Sequence, residues 1–235
     1  DGFDAQHKTG ILASLAHGFW VKPSQIFVEG IRHITPLDIQ FARRLGYCIK
    51  LLGIVKKLGN KVQIAVHPAL VPETHVLANV SGVYNAILVR GDIVGDTLHY
   101  GQGAGADATA SAVLSDLADA ALDLKNGSIG RVPPFVPHEQ NGTVQSMDKA
   151  VSPFYLRLSV VDRPGTLAKI AAILGEAKIG ICSVTQPEGH VGESVPLILM
   201  LHDAPDLMMR QALKKIARLS AIKAKPTMIR VETFE

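Results

Sequence analysis

An acid and an amine four residues apart, Asp4 and Lys8, stand near the start of DGFDAQHKTGILASLAHGFW. On a helix that spacing puts both on one face, one turn apart. An ammonium with its pKa adjusted by a neighbouring carboxylate and by burial can exchange a proton with a substrate hydroxyl or carbonyl oxygen. The residues after Lys8 turn apolar at once, which predicts a lysine at the rim of a cavity. The plainer alternative is a helical acid near an N-terminus and an exposed ion pair. A second candidate is Tyr100-Gly101-Gln102-Gly103-Ala104-Gly105, followed by Asp107, Ala108 and Thr109. Alternate glycines allow close backbone approach, and a helix N-terminus offers free N–H groups to an anion or a polar ring. The second gap is one residue where the dinucleotide fingerprint has two, so this is not that fingerprint, and a glycine-rich turn entering a helix would read the same way. His67-Pro68, with His75 and Asn79 downstream, lacks a supporting carboxylate pattern and is interrupted by Pro72. Packing and polar turn roles are expected there, with no metal site. Glu29, beside Gly30 after a strand, could cap a helix or face a pocket, and the residues leave both open.

Composition bounds what these groups can belong to. Of 235 residues, 47% are hydrophobic and 19% charged, so a packed core is expected and disorder is not. The net charge of +3 is spread along the chain with no basic run, which argues against nucleic acid as a partner. No apolar stretch approaches the length of a membrane span, so no membrane partner is expected. Cys48 and Cys182 lie far apart within apolar segments and read as two buried free thiols, which points to a reducing, cytoplasmic compartment.

The elements that position these residues follow from period and turn signals. Residues 4–19 are helical by period, with Ile11, Leu12, Leu15, Ala16 and Phe19 on one side. Thr35-Pro36 opens a second helix carrying Leu37, Ile39, Phe41 and Leu45. Residues 47–55 and 61–70 read as neighbouring strands around the turn signal Gly59-Asn60. Residues 83–89 form another strand, and 107–124 a long helix rich in Ala and Leu. Residues 126–153, rich in Gly, Pro, Asn and Ser, read as a linker between 1–125 and 154–235. The second part runs strand 154–161, a helix with Pro164 near its first turn, strands 179–186 and 195–201, a helix opened by Pro205-Asp206, and strand 226–231. That order is βαββαβ, the split βαβ pattern of ferredoxin-like domains. The expected class is α+β: a mixed-sheet domain followed by a ferredoxin-like one.

Several long stretches carry a resemblance: GFDAQHKTGILASLAHG, VEGIRHITPLDIQFARRLGYCIKLLGI, VHPALVPETHVLANVSGVYNAILVRGDIVG and YGQGAGADATASAVLSDL. In type and order these are similar to homoserine dehydrogenase, from inside its catalytic and dimerisation region onward. The second part, with DRPGTLAKIAAIL and ICSVTQPEG, resembles an ACT domain, a small regulatory module of amino-acid biosynthetic enzymes. The resemblance implies that the chain is the downstream part of a longer enzyme whose N-terminal Rossmann domain binds most of NAD or NADP, and that this part alone is inactive. It implies interconversion of aspartate semialdehyde and homoserine in threonine and methionine biosynthesis. Lys8 matches the proton-transferring lysine and Asp4 the acid one turn earlier that orients it and the substrate. Gly103, Ala104, Gly105 and Thr109 match the segment beside the nicotinamide ring. Gln102 and Ala108 depart from the family, which often has Arg or Pro at the first and Pro at the second, and this bears on cofactor geometry. Asp162, Gly165 and Gln186 match the place where ACT domains bind an amino-acid effector, here threonine, the alternative being a module that serves only assembly. A homodimer or higher homo-oligomer is expected. The contrasting reading is a stand-alone amino-acid-binding or dimerisation module with a vestigial catalytic half.

Overall fold

The structure, a computed structural model, describes residues 1–128, 142–187, 192 and 194–234. By compactness the chain forms two units, Asp1–Pro72 with His138–Glu235, and Glu73–Pro137. In chain order the first unit contains α1 (Phe3–His17), β1 (Phe27–Val28), α2 (Pro36–Arg44), β2 (Tyr47–Leu58) and β3 (Lys61–Pro72). The second contains β4 (Tyr84–Gly91), β5 (Gly95–Gln102) and α3 (Ala106–Asn126). The first then resumes with β6 (Thr143–Gln145), β7 (Val151–Val161), α4 (Thr166–Glu176), β8 (Ile181–Thr185), β9 (Ser194–Pro205), α5 (Asp206–Ile216) and β10 (Thr227–Val231).

In the first unit the spine is β3, buried along nearly its whole length. The Gly59-Asn60 turn returns β2 onto it in antiparallel register, with Leu58 opposite Lys61 and Tyr47 opposite Pro72. Three short strands share the other edge of β3 end to end, all parallel to it. These are β6 against 61–63, β1 at Ala65 and Val66, and β10 at Ala69 and Leu70. From β10 the sheet continues as β10-β7-β9-β8, every pair antiparallel. With α4 and α5 inserted, that is the ferredoxin-like βαββαβ order, as expected.

The boundary expected at 126–153 therefore differs from the structure. Residues 143–145 are a strand of the sheet, Met147 and Ala150 are buried against Ala65 and Phe27, and β7 already begins at Val151. Residues 129–141, which hold Pro133, Pro134 and Pro137 of the expected linker, lie outside the described residues. What joins the two sequence regions is the pairing of β10 with β3, a contact between residues some 160 positions apart that no local pattern announces.

Strand alternation sorts the core onto two faces. On one, Phe154, Leu156, Leu197, Leu199 and Leu201 pack under Ile170 and Leu174 of α4 and Met209, Ala212 and Ile216 of α5. Each such leucine, removed from water, contributes about 1.5–3 kcal/mol. On the other, Tyr155, Ile198, Ile229, Val231 and Leu70 pack under Phe41 and Ala42 of α2. The start of α2 is set by a capping box: Asp38 accepts from the Thr35 N–H at 2.9 Å, and the Thr35 hydroxyl oxygen accepts from the Asp38 N–H. The same Asp38, fully buried, takes two hydrogen bonds from Arg157 of β7, at 2.5 and 3.0 Å.

One expectation about α1 is reversed. Its buried residues are Thr9, Gly10, Ala13 and Ser14, while Ile11, Leu12 and Leu15 are exposed. Small side chains bring the helix close to the sheet: Thr9 occupies the space that a Cβ on Gly53 of β2 would need. Cys182 is also exposed, on strand β8, contrary to the expected burial, and Cys48 is half-buried; no disulfide joins them.

The second unit is simpler. β4 and β5 pair in antiparallel register from Tyr84 opposite Gln102 to Gly91 opposite Gly95, with Tyr84 and Tyr100 stacked at 5.0 Å between ring centres. Helix α3 follows after three residues. Among the described residues, no helix is long and apolar enough to cross a membrane.

Candidate active site

The side chains of Asp4 and Lys8 meet on the outward face of α1. The Lys8 Nζ lies 2.9 Å from the Asp4 carboxylate. Their place is set by the small-residue face of the helix. With Thr9 and Ala13 turned to the sheet, the opposite side presents Asp4, Lys8, Ile11, Leu12 and Leu15 together. The apolar surface expected after Lys8 is present, but it faces outward. Lys8 is 62% exposed and Asp4 83%, so the lysine is not at the rim of a buried cavity in this chain. An exposed pair of this type contributes at most about 0.5 kcal/mol to stability. Folding gains little from these two charges.

The N-terminal turn of α1 is held from outside the helix. Gly2 is its N-cap in the left-handed conformation. The segment after β1 packs on it: the Arg32 guanidinium bonds the Asp1 carboxylate at 2.6 and 2.9 Å. Glu29 does not cap a helix. Its N–H donates to the Val66 carbonyl and its carboxylate accepts from Arg230 Nη1 at 2.8 Å.

In the second unit Gly103, Ala104 and Gly105 link β5 to α3, and Tyr100, Gly101 and Gln102, expected in the turn, lie within β5. The lack of a side chain at Gly103 has a steric cause. A Cβ there would come within 1.8 Å of the Asn85 side-chain nitrogen, while the Gly103 N–H donates to the Val83 carbonyl. Gly105 is the N-cap of α3 at φ 120°, and a Cβ on it would meet nothing within 4 Å. The Thr109 hydroxyl donates to the Gly105 carbonyl at 2.9 Å, tying the helix to the turn. The turn thus presents open backbone beside the N–H groups of an exposed helix N-terminus, which fits a polar ring such as a nicotinamide carboxamide.

Asp162, Gly165 and Gln186 line one cavity of about 360 Å³ in the first unit, together with Pro164, Thr166 and Leu197. Gly165 is the left-handed N-cap of α4, so Pro164 precedes the helix and does not sit in its first turn. Thr166 is buried and its hydroxyl donates to the Val161 carbonyl, which fixes the loop.

His67 and His75 have other work. His67 is buried edge-on to Phe27, with Nδ1 3.0 Å from the Pro68 carbonyl. Burial, then the positive charge of Arg230, lower its pKa to about 4. The His75 ring accepts from the Leu77 N–H and starts a short 3₁₀ turn. Among the described residues no three His, Cys, Asp or Glu side chains converge as metal ligands would. Sequence reasoning missed Arg230 and Arg210 altogether. Arg230 is paired with Asp206 at 2.6 Å and Arg210 joins Asp206 to Asp148. Nothing about an Arg in a short strand announces partners 24 and 201 residues away.

A family model described as homoserine dehydrogenase matches residues 1–118, the span that contains Asp4, Lys8 and the 103–109 segment. The homoserine dehydrogenase of Neisseria gonorrhoeae is 39% identical over 237 aligned positions, covering 100% of this chain and 54% of that protein. That of Pseudomonas aeruginosa is 38% identical, covering 99% of this chain and 54% of its own length. Among solved structures, a homoserine dehydrogenase from Thiobacillus denitrificans superposes with a TM-score of 0.89 at 40% identity, over 99% of this chain and 53% of that one. One from S. aureus gives 0.68 at 29% identity, over 99% and 54%. The chain thus spans about half the length of the curated relatives it matches. With a family model over half the chain, the chain belongs to the homoserine dehydrogenase family.

Proposed function

We propose that this chain is the substrate-handling and regulatory part of an NAD(P)-dependent homoserine dehydrogenase that interconverts L-aspartate 4-semialdehyde and L-homoserine. The observation that carries the reading is the Asp4–Lys8 pair on the first turns of α1. It contributes little to stability and presents an amine proton outward, beside apolar surface that a substrate and a closing domain would cover. In the reductive direction the Lys8 ammonium gives its proton to the aldehyde oxygen as negative charge develops there. In the oxidative direction the neutral amine takes the proton of the homoserine hydroxyl. Asp4 holds the amine in position and orients the substrate. Bound NAD or NADP supplies or accepts the hydride. Gly103, Ala104 and Gly105 would hold the nicotinamide with backbone groups, and Thr109 holds the turn that carries them.

In the same reading the βαββαβ half is an ACT-type module and its cavity takes an amino-acid effector, threonine. The N-terminus of α4, which begins at Thr166 beside this cavity, suits a carboxylate. The Asp162 carboxylate suits an ammonium, and Gln186 a side-chain hydroxyl. The protein works as a homo-oligomer in the cytoplasm, in threonine and methionine biosynthesis.

The test uses the protein expressed from its complete coding region, with Lys8→Ala and Lys8→Met. Homoserine-dependent NAD(P)H formation should fall at least 10²-fold, as for loss of a general acid or base. Dinucleotide binding and melting temperature should be unchanged. Turnover close to that of the unsubstituted protein would remove Lys8 from the chemistry. Titration with L-threonine, followed by calorimetry, tests the cavity: binding that Asp162→Ala abolishes supports the effector site, and no binding leaves the module an assembly device.

A further inference from the structure

The residue that the sequence left open, Glu29, sits between the last strand of the chain and the first turn of its first helix. Arg230 of β10 is 3% exposed, and its guanidinium lies 4.9 Å over the Phe27 ring. It meets two carboxylates: Asp206 at the start of α5, through Nε at 2.8 Å, and Glu29, through Nη1 at 2.8 Å. Asp206 is fully buried and is paired a second time by Arg210. A buried guanidinium in this setting stays where both acids hold it. Glu29 therefore has a fixed end, anchored in the C-terminal half of the chain.

The other end of the same segment is in contact with the residues that lead into α1. A Cβ built on Gly30 would lie 2.8 Å from Asp1 Cα and 3.0 Å from the Asp1 carbonyl carbon. The backbones thus approach with no room for a side chain at Gly30. Two residues on, Arg32 grips the Asp1 carboxylate. A Cβ on Gly2 would stand 3.1 Å from Val28 Cγ1 and 3.8 Å from the Glu29 carbonyl oxygen. The backbone of residues 1–2 is packed against this segment, and Gly2 is the N-cap whose carbonyl accepts from Gln6 in the first turn of α1. Residues 29–32 thus touch the backbone that enters the first turn of α1, which carries Asp4 and, one turn later, Lys8.

We propose that Glu29 is a positioning residue for the dehydrogenase site: held by Arg230, it sets through Gly30 and Arg32 the N-terminal turn of α1 and so the direction of Asp4 and Lys8. This rests on the reading of Asp4 and Lys8 as the substrate-handling pair. It gives the C-terminal strand a part in substrate binding, although β10 itself contributes no group to the substrate.

The experiment compares four variants of the protein expressed from its complete coding region. Glu29→Ala removes the tether. Glu29→Gln keeps an oxygen that accepts from Arg230. Gly30→Ala moves the same backbone by steric contact and touches no charge. Lys8→Ala controls for the underlying reading. The expected result is a fall of at least 10-fold in kcat/KM for homoserine in Glu29→Ala and Gly30→Ala, with a raised KM for homoserine. The KM for the dinucleotide should stay within twofold, and Glu29→Gln should recover most of the loss. A residue that only supported the fold would lower the amount of active protein and leave both KM values where they were. If Lys8→Ala is inactive while Glu29→Ala and Gly30→Ala keep kcat/KM for homoserine within twofold, the positioning role is wrong although the site is right. Full turnover in Lys8→Ala overturns the site and this proposal together. Should Glu29→Ala fail to accumulate as folded protein, Gly30→Ala and Glu29→Gln decide the question between them.

Discussion

Acid should weaken the first unit through a buried histidine. His67 is buried against Phe27, and the charges nearest it are Arg230 on β10, Asp206 on α5 and Lys56 on β2. Its folded pKa of about 4 lies below its value of 6.5 in an unfolded chain, chiefly because burial disfavours the imidazolium. Between those two values the unfolded chain binds a proton that the folded one does not. Stability therefore rises with pH across that window, is fully present above 6.5, and is lost as pH falls toward 4. The gap of about 2.5 pH units corresponds to about 3 kcal/mol, a large fraction of the stability of an ordinary domain. Urea unfolding at pH 7.5, 6.5, 5.5 and 4.5, followed by tryptophan fluorescence, measures it. The unsubstituted protein should lose about 1 kcal/mol per pH unit between 6 and 4.5 beyond the loss in His67→Gln. Equal slopes in the two proteins would refute the reasoning. Asp38 does not confuse the test. Burial pushes its carboxyl up, but hydrogen bonds from Arg157 and Thr35 outweigh that and hold it below the usual range. Its contribution is present above its unfolded pKa and is lost only at lower pH, below the window of His67.

Two further outcomes follow from close contacts. Asp38→Ala removes the carboxylate between Thr35, Tyr155 and Arg157 and strands a guanidinium that is 14% exposed, so a loss of about 3–5 kcal/mol is expected in chemical denaturation. Gly103→Ala places a methyl group 1.8 Å from the Asn85 side-chain nitrogen. The KM for the dinucleotide should rise, and adding Asn85→Ala should restore it; an unchanged KM in the single variant would remove the 103–105 turn from the cofactor site.

Much of the fold could be read from the chain because its signals are local. Thr35-Pro36 with Asp38 three residues after Thr35 marks the start of α2, Gly59-Asn60 joins two long apolar strands, and residues 154–231 alternate through the βαββαβ order. The rest depended on contacts that have no local signature. β1 and β6, of two and three residues, are too short to show alternation, and each exists because β3 offers an edge to pair with. Period alone marks two stripes on α1, one of large apolar residues and one of small ones. Larger apolar area favours burial of the first, but the space at Gly53 admits only the second. For the site, the family resemblance reached Asp162, Gly165 and Gln186, which do line a single cavity. Spacing brought Asp4 and Lys8 together, yet their exposure could not be read because it depends on which stripe of α1 meets the sheet. Arg230 and Glu29 are joined only by the parallel placement of β10 and β1 on the same edge of β3.

The most direct test is homoserine-dependent reduction of NAD and of NADP by the protein expressed from its complete coding region. Turnover with homoserine and at least one of the two dinucleotides is expected, abolished by Lys8→Ala. A folded protein that binds a dinucleotide yet turns over neither homoserine nor, in the reverse direction, aspartate semialdehyde would contradict the proposed function.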